Sequence, residues 1–281
     1  MWIANTKPQL RNYLSSGSEK IILVPTMGAL HPGHASLIAL AREHAGKDGI
    51  VIVSIFVNPI QFDRSSDLEK YPRPLAEDLE ICEKYGADGV FAPEANEVYF
   101  PDRSITVTEK SLSENLCGAT RPGHFDGVCT VVLKLFNLTK CTAAVFGEKD
   151  FQQLAIIRRM VRDLDLDVEI IPHPTIREPD GLAMSSRNTR LTPEHRADAV
   201  RIFKALSAAR QFTSAFDIFA AAKSHIEASD HAKIDYLSLV DANTLTPAPD
   251  LSAPTILACA VFYGDVRLID HISIPAHPQN S

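Results

Sequence analysis

The chain has 281 residues, of which 45% are apolar, so it can bury a large core without help from metals or disulfides. Its net charge of -7 argues against a nucleic-acid partner, because proteins that neutralise phosphate backbones concentrate lysine and arginine. Five scattered cysteines indicate neither a disulfide framework nor a thiolate zinc site. The apolar runs are far shorter than the roughly 20 residues of a membrane span, so no membrane partner is predicted. We therefore expect a cytoplasmic protein.

The first 175 residues alternate short β-branched runs with longer amphipathic stretches. This pattern is typical of a parallel sheet with helices on both faces. The predicted strands are residues 21–24, 50–57, 89–92, 143–146 and 168–171. The predicted helices are residues 35–45, 74–85, 127–139 and 151–164. We therefore predict an α/β protein with a Rossmann-like doubly wound sheet, in which ligands bind at the carboxyl ends of the strands.

The pattern changes after residue 190. Thr192 and Pro193 predict the start of a helix that continues to about residue 211, and a second helix follows at residues 216–228. Strand-like runs then occupy residues 234–240, 255–262 and 266–269. We expect two domains, a Rossmann-like domain over residues 1–175 and a smaller C-terminal α+β domain over residues 176–281.

Two histidines bracket Pro32 and Gly33 between the first predicted strand and its helix. Residues three apart on a helical turn are neighbours, so both imidazoles project to one side. The exposed N–H groups at a helix start favour an anion, and glycines let a phosphate approach the backbone. A single histidine is usually an ordinary surface or core residue, but His31 and His34 together at this turn predict a phosphate site.

A second group of charged residues follows the predicted strand at residues 143–146. Lys149 can neutralise charge that develops on a phosphate in a transition state. Asp150 can accept a hydrogen bond from a ribose hydroxyl or cap the next helix. Because glycine and charged residues are also common in solvated turns, this group supports a nucleotide site only in combination with the histidines.

Ser185, Ser186 and Arg187 lie in a turn-rich stretch near the expected domain boundary. Two hydroxyls next to a guanidinium suit the binding of phosphates. A linker with helix-capping serines explains the same residues equally well.

Further polar residues follow the predicted strands at residues 50–57 and 143–146. Asn58, Gln61 and Gln153 are candidates for orienting a small polar substrate at the carboxyl ends of these strands. Arg121 and His124 form another polar turn, which can hold a carboxylate or lie in solvent, and these residues alone favour solvent.

Glu77 and Asp78 are adjacent acidic residues near the start of a predicted helix. They can hold the Mg²⁺ that accompanies a nucleotide, since this ion takes one or two carboxylates together with phosphates and waters. More often such a pair is solvated and stabilised by the helix dipole. The sequence has no evident three-ligand cluster of His and Cys, so it does not predict a zinc site.

Six stretches of the sequence match one family in order and spacing from about residue 20 to residues 267–270. They are residues 25–34, 56–62, 71–73, 121–125, 146–154 and 180–188. In these motifs the chain resembles the pantothenate synthetases, or pantoate–beta-alanine ligases, within the nucleotidylyltransferase superfamily. The chain departs from the family at Asp63 and Arg64, where Gly-Pro is common.

The resemblance implies an ATP-dependent ligase of pantothenate and coenzyme A biosynthesis. The carboxylate of (R)-pantoate would attack the α-phosphorus of ATP to give pantoyl adenylate and pyrophosphate. The amine of beta-alanine would then displace AMP to form pantothenate. The resemblance also implies that Mg²⁺ accompanies ATP. The first domain would bind ATP and pantoate, and the C-terminal domain would act as a lid. The protein would be a homodimer.

The resemblance also assigns roles to individual residues. His34 would donate a proton, and His31 and Lys149 would contact phosphates as further catalytic residues. Gln61 and Gln153 would hold pantoate, with Asn58 and His124 in support. The ATP-binding residues would be Met27, Gly28, Ala29, Leu30, His31, Pro32, Gly33, His34, Gly147, Glu148, Lys149, Asp150, Ile176, Met184, Ser185, Ser186 and Arg187.

Three other functions compete with the ligase. A nucleotidylyltransferase that adenylates or cytidylylates a phosphorylated substrate and stops there would explain the histidine motif, but not the polar residues assigned to pantoate. A class I tRNA synthetase is disfavoured because the chain is acidic and has no evident tRNA-binding domain. A non-catalytic nucleotide sensor would leave Lys149 and residues 185–187 without a task.

Overall fold

The parallel sheet expected from the alternating pattern has six strands, all of them parallel to their neighbours. The structure is a computed structural model that describes residues 1–15, 20–63 and 65–276. The strands are β1 (Trp2–Ala4), β2 (Ile21–Thr26), β3 (Ile50–Ile55), β4 (Gly89–Phe91), β5 (Ala143–Gly147) and β6 (Glu169–His173). Their order in the sheet is β1-β4-β3-β2-β5-β6. The predicted Rossmann-like α/β class is confirmed.

Helices connect these strands and continue into the C-terminal part of the chain. They are α1 (Lys7–Leu14), α2 (Pro32–Ala45), α3 (Ser65–Glu69), α4 (Leu75–Lys84), α5 (Ala95–Val98), α6 (Leu116–Thr120), α7 (His124–Thr139), α8 (Phe151–Asp163), α9 (Pro193–Ala199), α10 (Arg201–Ala209) and α11 (Ala215–Glu227). None of the helices in the described ranges is long and apolar enough to cross a membrane.

The central strands are apolar on both faces. Ile22 and Val24 belong to one buried cluster with Leu37 and Ile38 of α2. Side chains alternate between the faces of a strand, so Leu23 points to the opposite face, where it is also fully buried. Burial on both faces explains why β2 has a continuous apolar run rather than an alternating pattern.

The edge strand β1 was not predicted from the sequence. Its three residues pair with β4, with Trp2 opposite Gly89. The Trp2 ring lies against the backbone of Gly89, because a Cβ added there would be only 2.1 Å from the ring. A three-residue strand is too short to show the alternation of apolar and polar residues that predicts a strand. The sequence therefore does not indicate that Trp2 is the partner of Gly89.

The order of strands reverses between β2 and β5. From β2 the chain continues outward through β3 and β4, whereas β5 and β6 lie on the other side of β2. In doubly wound sheets, ligands bind at the carboxyl ends of the strands at such a reversal. The turn that follows β2 and the end of β5 at Gly147 therefore lie at the place where a ligand is expected.

The C-terminal part of the chain forms a three-stranded antiparallel sheet. Its strands are β7 (Ala232–Asp241), β8 (Thr255–Tyr263) and β9 (Val266–Ile274), in that order. The predicted helix that starts at Thr192 is present as α9 and α10. Val200 separates them but keeps helical dihedral angles of φ -56° and ψ -24°, so the interruption is slight.

The structure divides into two compact units, and the chain enters the second unit three times. Unit 1 contains residues 1–109, 121–148 and 156–174, and unit 2 contains residues 110–120, 149–155 and 175–281, of which 277–281 lie outside the described ranges. Two segments that precede the expected boundary at residue 175 therefore belong to unit 2. The buried Gln152 joins these two segments, because its side chain accepts from Cys117 N and donates to Leu112 O and Asn115 O.

Candidate active site

The turn after β2 is held in an unusual backbone conformation. Gly28 has φ +79° and Ala29 has φ +49°, and both values lie in the left-handed region that side chains disfavour. The Thr26 hydroxyl accepts from Gly28 N at 3.2 Å and donates to Ser54 O at 2.7 Å, which links the turn to β3. The turn is therefore fixed by side chains as well as by its glycine.

Asp78 of α4 is the main side-chain partner of this turn. Its two carboxylate oxygens accept hydrogen bonds from Ala29 N at 2.9 Å and from Leu30 N at 2.6 Å. Burial raises the pKa of Asp78, while the two backbone bonds act in the opposite direction. A Cβ at Gly28 would lie 2.9 Å from Asp78 Oδ2, so glycine is needed where the carboxylate approaches the turn.

The predicted Mg²⁺ ligands do not form an evident metal site. Asp78 is only 1% exposed and both of its oxygens bind backbone amides, whereas Glu77 is exposed. Within the described part of the chain, no group of three or more His, Cys, Asp or Glu side chains is placed to hold a metal ion. The Mg²⁺ assignment at these two residues stays a prediction, and this geometry fits it poorly.

We expect Asp78→Asn to destabilise the protein and to weaken ATP binding. Asparagine keeps the shape but places an NH₂ group against one of the two amides, and an unsatisfied buried donor costs about 1–3 kcal/mol. Urea unfolding and the KM for ATP measure the two effects, with the exposed neighbour variant Glu77→Gln as the control. A variant of normal stability that only requires more Mg²⁺ would instead make Asp78 a metal ligand.

The structure brings the two predicted histidines together at the start of α2. Their ring centroids are 4.1 Å apart. His31 is the N-cap, and its Nδ1 accepts from Gly33 N at 3.1 Å, while Nδ1 of His34 accepts from His31 N at 3.4 Å. When Nδ1 accepts, a neutral imidazole carries its proton on Nε2. Each ring can therefore present an Nε2–H donor to an anion at the helix start.

Buried amide side chains lie next to the same turn. Asn58 Nδ2 donates to Gln61 Oε1 at 2.9 Å, and Gln61 Nε2 contacts Met27 Sδ at 3.0 Å. Asn58 and Gln61 are 1% and 8% exposed, respectively. A buried amide with fixed partners can present a donor to a substrate in one defined direction.

His124 is buried, with 9% of its surface exposed, so the solvent position favoured from the sequence is wrong for it, and its ring contacts the backbone of Gln61. Its Nδ1 lies 2.7 Å from Gln61 O, and Arg121 donates to the same carbonyl at 3.3 Å. Arg121 also donates to Asp63 at 3.0 Å, so the aspartate at the family's Gly-Pro position is paired with this turn. The other residue at that position, Arg64, lies outside the described residues.

Lys149 and Ser185 line a small cavity within unit 2. The cavity also contacts Asp270, Leu182, Ile202 and Leu268. Asp270 is 4% exposed and receives two hydrogen bonds from Arg177, at 2.6 Å and 2.9 Å. Because the Asp270 carboxylate is already paired, the Lys149 ammonium is not needed to neutralise it.

The remaining predicted nucleotide residues of unit 2 lie on two short segments. Met184 N donates to Ile176 O at 3.0 Å, and this hydrogen bond closes the loop formed by residues 176–184. Ser185 caps a 3-10 helix over Ser186–Arg190 and accepts from Arg187 N at 3.2 Å. Lys149 lies in a second 3-10 helix, Glu148–Asp150, and Gln153 is half-buried in the first turn of α8. The capping role expected as an alternative for Ser185 is thus present.

Two contacts around the site were not predicted, since Tyr99 binds Asn58 and Arg177 binds Asp270. Asp78 was predicted as a Mg²⁺ ligand, but its carboxylate binds the backbone of the turn. Asp270 ends the region over which the order and spacing of the motifs match the family, and this was the one signal available for it.

The fold and the turn define a class of protein. A doubly wound parallel sheet with a helix start and a glycine-bearing turn at its strand reversal is the architecture of a nucleotide-binding α/β enzyme. A family model described as pantoate-beta-alanine ligase matches residues 2–273. The chain belongs to the pantoate-beta-alanine ligase family.

Individual relatives agree over nearly the whole chain. A pantothenate synthetase of Akkermansia muciniphila is 53% identical over 277 residues, which covers 96% of this chain and 99% of the relative. A pantothenate synthetase from Thermus thermophilus, known as a crystal structure, is 41% identical with a TM-score of 0.92, covering 97% and 99% of the two chains. The pantoate-beta-alanine ligase of Francisella tularensis, complexed with beta-gamma ATP and beta-alanine, is 35% identical with a TM-score of 0.81 and covers 97% of both chains.

Proposed function

We propose that this chain catalyses the ATP-dependent condensation of (R)-pantoate with beta-alanine to pantothenate, a step in the biosynthesis of pantothenate and coenzyme A. The observation that carries the proposal is the pair of imidazoles at the start of α2, next to the buried amide of Gln61. Membership of the ligase family and the ATP and beta-alanine complex of the Francisella tularensis relative support it.

The reaction proceeds in two steps. The carboxylate of pantoate attacks the α-phosphorus of ATP, the bond to the bridging oxygen breaks, and pyrophosphate leaves with its electron pair. The amine of beta-alanine then attacks the acyl carbon of pantoyl adenylate, AMP leaves, and the new amide loses a proton. An unactivated carboxylate has a poor leaving group, so the enzyme's main tasks are to position anions and to disperse phosphate charge.

Three side chains bind and stabilise the phosphates in this proposal. The N–H groups at the start of α2 and the Nε2–H donors of His31 and His34 bind phosphate oxygens. The His34 Nε2–H group donates its hydrogen bond to the oxygen on which charge develops as pyrophosphate leaves. The Lys149 ammonium stabilises the same charge.

The other proposed nucleotide contacts come from main-chain and side-chain groups of the predicted set. They are Met27, Gly28, Ala29, Leu30, Pro32, Gly33, Gly147, Glu148, Asp150, Ile176, Met184, Ser185, Ser186 and Arg187.

Pantoate binds to Gln61 and Gln153 in this proposal, and beta-alanine approaches Gln61. Asn58 and His124 act through Gln61, because one binds its side chain and the other contacts its carbonyl. They are therefore positioning residues rather than catalytic residues.

We also propose that the protein acts in the cytoplasm as a homodimer and that Mg²⁺ accompanies ATP. No reaction step depends on a metal held by Glu77 and Asp78, because the Asp78 oxygens already bind backbone amides.

Exchange of labelled pyrophosphate into ATP tests the proposed function. We expect exchange that requires pantoate, followed by release of AMP when beta-alanine is added. The first step is reversible and forms pyrophosphate without beta-alanine, whereas AMP is released only in the second. Exchange that requires a phosphorylated substrate instead of pantoate would identify a nucleotidylyltransferase. ATP binding without exchange would favour a nucleotide sensor.

A further inference from the structure

Tyr99 follows α5 directly and lies outside every stretch that carries the family resemblance. Its side chain is nearly buried, with 9% of its surface exposed. The phenol donates a hydrogen bond to Asn58 Oδ1 at 2.8 Å. The ring packs at a tilt against Phe56, with centroids 6.1 Å apart, so the hydroxyl is held in place by the core of unit 1.

This hydrogen bond continues through two amides. A side-chain amide has one acceptor oxygen and one donor nitrogen. Because the Tyr99 hydroxyl donates to Asn58 Oδ1, the Asn58 amide is held with its oxygen toward Tyr99 and its nitrogen on the opposite side. Asn58 Nδ2 donates both to Gln61 Oε1, at 2.9 Å, and to Gly127 O, at 3.0 Å. Gln61 Oε1 is thereby used as an acceptor, and Gln61 Nε2 faces Met27 Sδ at 3.0 Å.

We propose that Tyr99 is a positioning residue that acts through Asn58 to hold the Gln61 amide with its nitrogen directed toward the substrate. The proposal rests on the proposed role of Gln61 in binding pantoate. A flipped Gln61 amide would present an oxygen to the anionic substrate, which would repel it. Without the phenol, Asn58 Oδ1 would lose a buried hydrogen-bond donor. The amides of Asn58 and Gln61 would then lose one of the contacts that fix which way their oxygen and nitrogen atoms point.

The surroundings keep Tyr99 as a donor. Burial raises the pKa of the Tyr99 phenol well above its usual value, and this effect exceeds the opposite effect of Arg103. The Arg103 guanidinium lies 5.3 Å from the ring centroid and Lys134 Nζ lies 5.7 Å from it. The hydroxyl therefore stays protonated across the range in which the reaction can be measured, and the direction of the hydrogen-bond chain does not change with pH.

The test is Tyr99→Phe, which removes the hydroxyl and keeps the ring. We expect the KM for pantoate to rise about tenfold, as the loss of one buried hydrogen bond to a binding group commonly produces. The turnover number and the KM for ATP should stay within about twofold, because the bond acts on one substrate in both ground and transition states. Tyr263→Phe is the matched control, since its buried hydroxyl donates to Asp198 O at 3.3 Å in unit 2.

A double-mutant cycle separates positioning from general stability. In an Asn58→Ala background, Tyr99→Phe should have little further effect on the KM for pantoate, because its partner is gone. Equal losses in both backgrounds, or an unchanged pantoate KM in the single variant, would overturn the proposal. Failure of the ligase assignment would be seen separately, as absence of pantoate-dependent exchange in the unmodified enzyme.

Discussion

The His34→Ala variant is expected to have a turnover number lower by about 10² or more, as loss of a transition-state donor commonly produces. The Nδ1 atom of His34 accepts a backbone hydrogen bond, so the neutral ring directs an Nε2–H group away from the helix backbone. Charge on the departing pyrophosphate grows as the bond to the α-phosphorus breaks. A hydrogen-bond donor at this position would therefore stabilise the transition state more than it stabilises the bound ground state of ATP.

Steady-state and exchange kinetics measure this effect, and His44→Ala provides the matched control. His44 is an exposed histidine near the other end of α2, so its loss removes an imidazole from the same helix without touching the turn. The control should retain the activity of the unmodified enzyme. Normal turnover in the His34 variant would remove this residue from the mechanism.

The Lys149→Ala variant is expected to lose about 10²–10³ in kcat/KM for ATP, which is the usual effect of removing one electrostatic contact to developing charge. Lys149 lines a cavity with Ser185 and with Asp270, whose charge is already paired to Arg177. The Lys149 charge is therefore available to phosphate oxygens. The loss should be larger for pyrophosphate exchange than for ATP binding measured by calorimetry.

The control for this variant is Lys204→Ala, which removes an exposed lysine from α10 of unit 2. We expect Lys204→Ala to behave as the unmodified enzyme, and Lys149→Arg to recover part of the lost rate because it restores the charge. A Lys149→Ala variant that is less stable but turns over normally would assign this lysine a purely structural role.

The parts of the fold that depend on local pattern could be predicted from the sequence. The strand, turn and helix around His31 and His34 are encoded within about 25 consecutive residues, by an apolar run, a glycine and an N-terminal proline. The parallel sheet followed from repeated apolar runs separated by helical patterns.

Contacts between distant residues could not be predicted in this way. Asp78 is 49 residues from Ala29, and Tyr99 is 41 residues from Asn58. Neither side chain carries a local signal for its partner, and an acidic residue in the first turn of a helix has an ordinary explanation. Such contacts are decided by which strands become neighbours in the sheet, and a single sequence specifies this only indirectly.

The repeated entry of the chain into unit 2 has a consequence for how the protein is made. Residues 110–120 and 149–155 leave the ribosome well before the C-terminal sheet that completes their unit. Domains that are continuous in sequence fold one after another during synthesis. Unit 2 instead has to wait for its last strand, so a nascent chain stalled before β9 should keep Gln152 and its partners open to proteases, and residues 176–281 expressed alone should fold poorly.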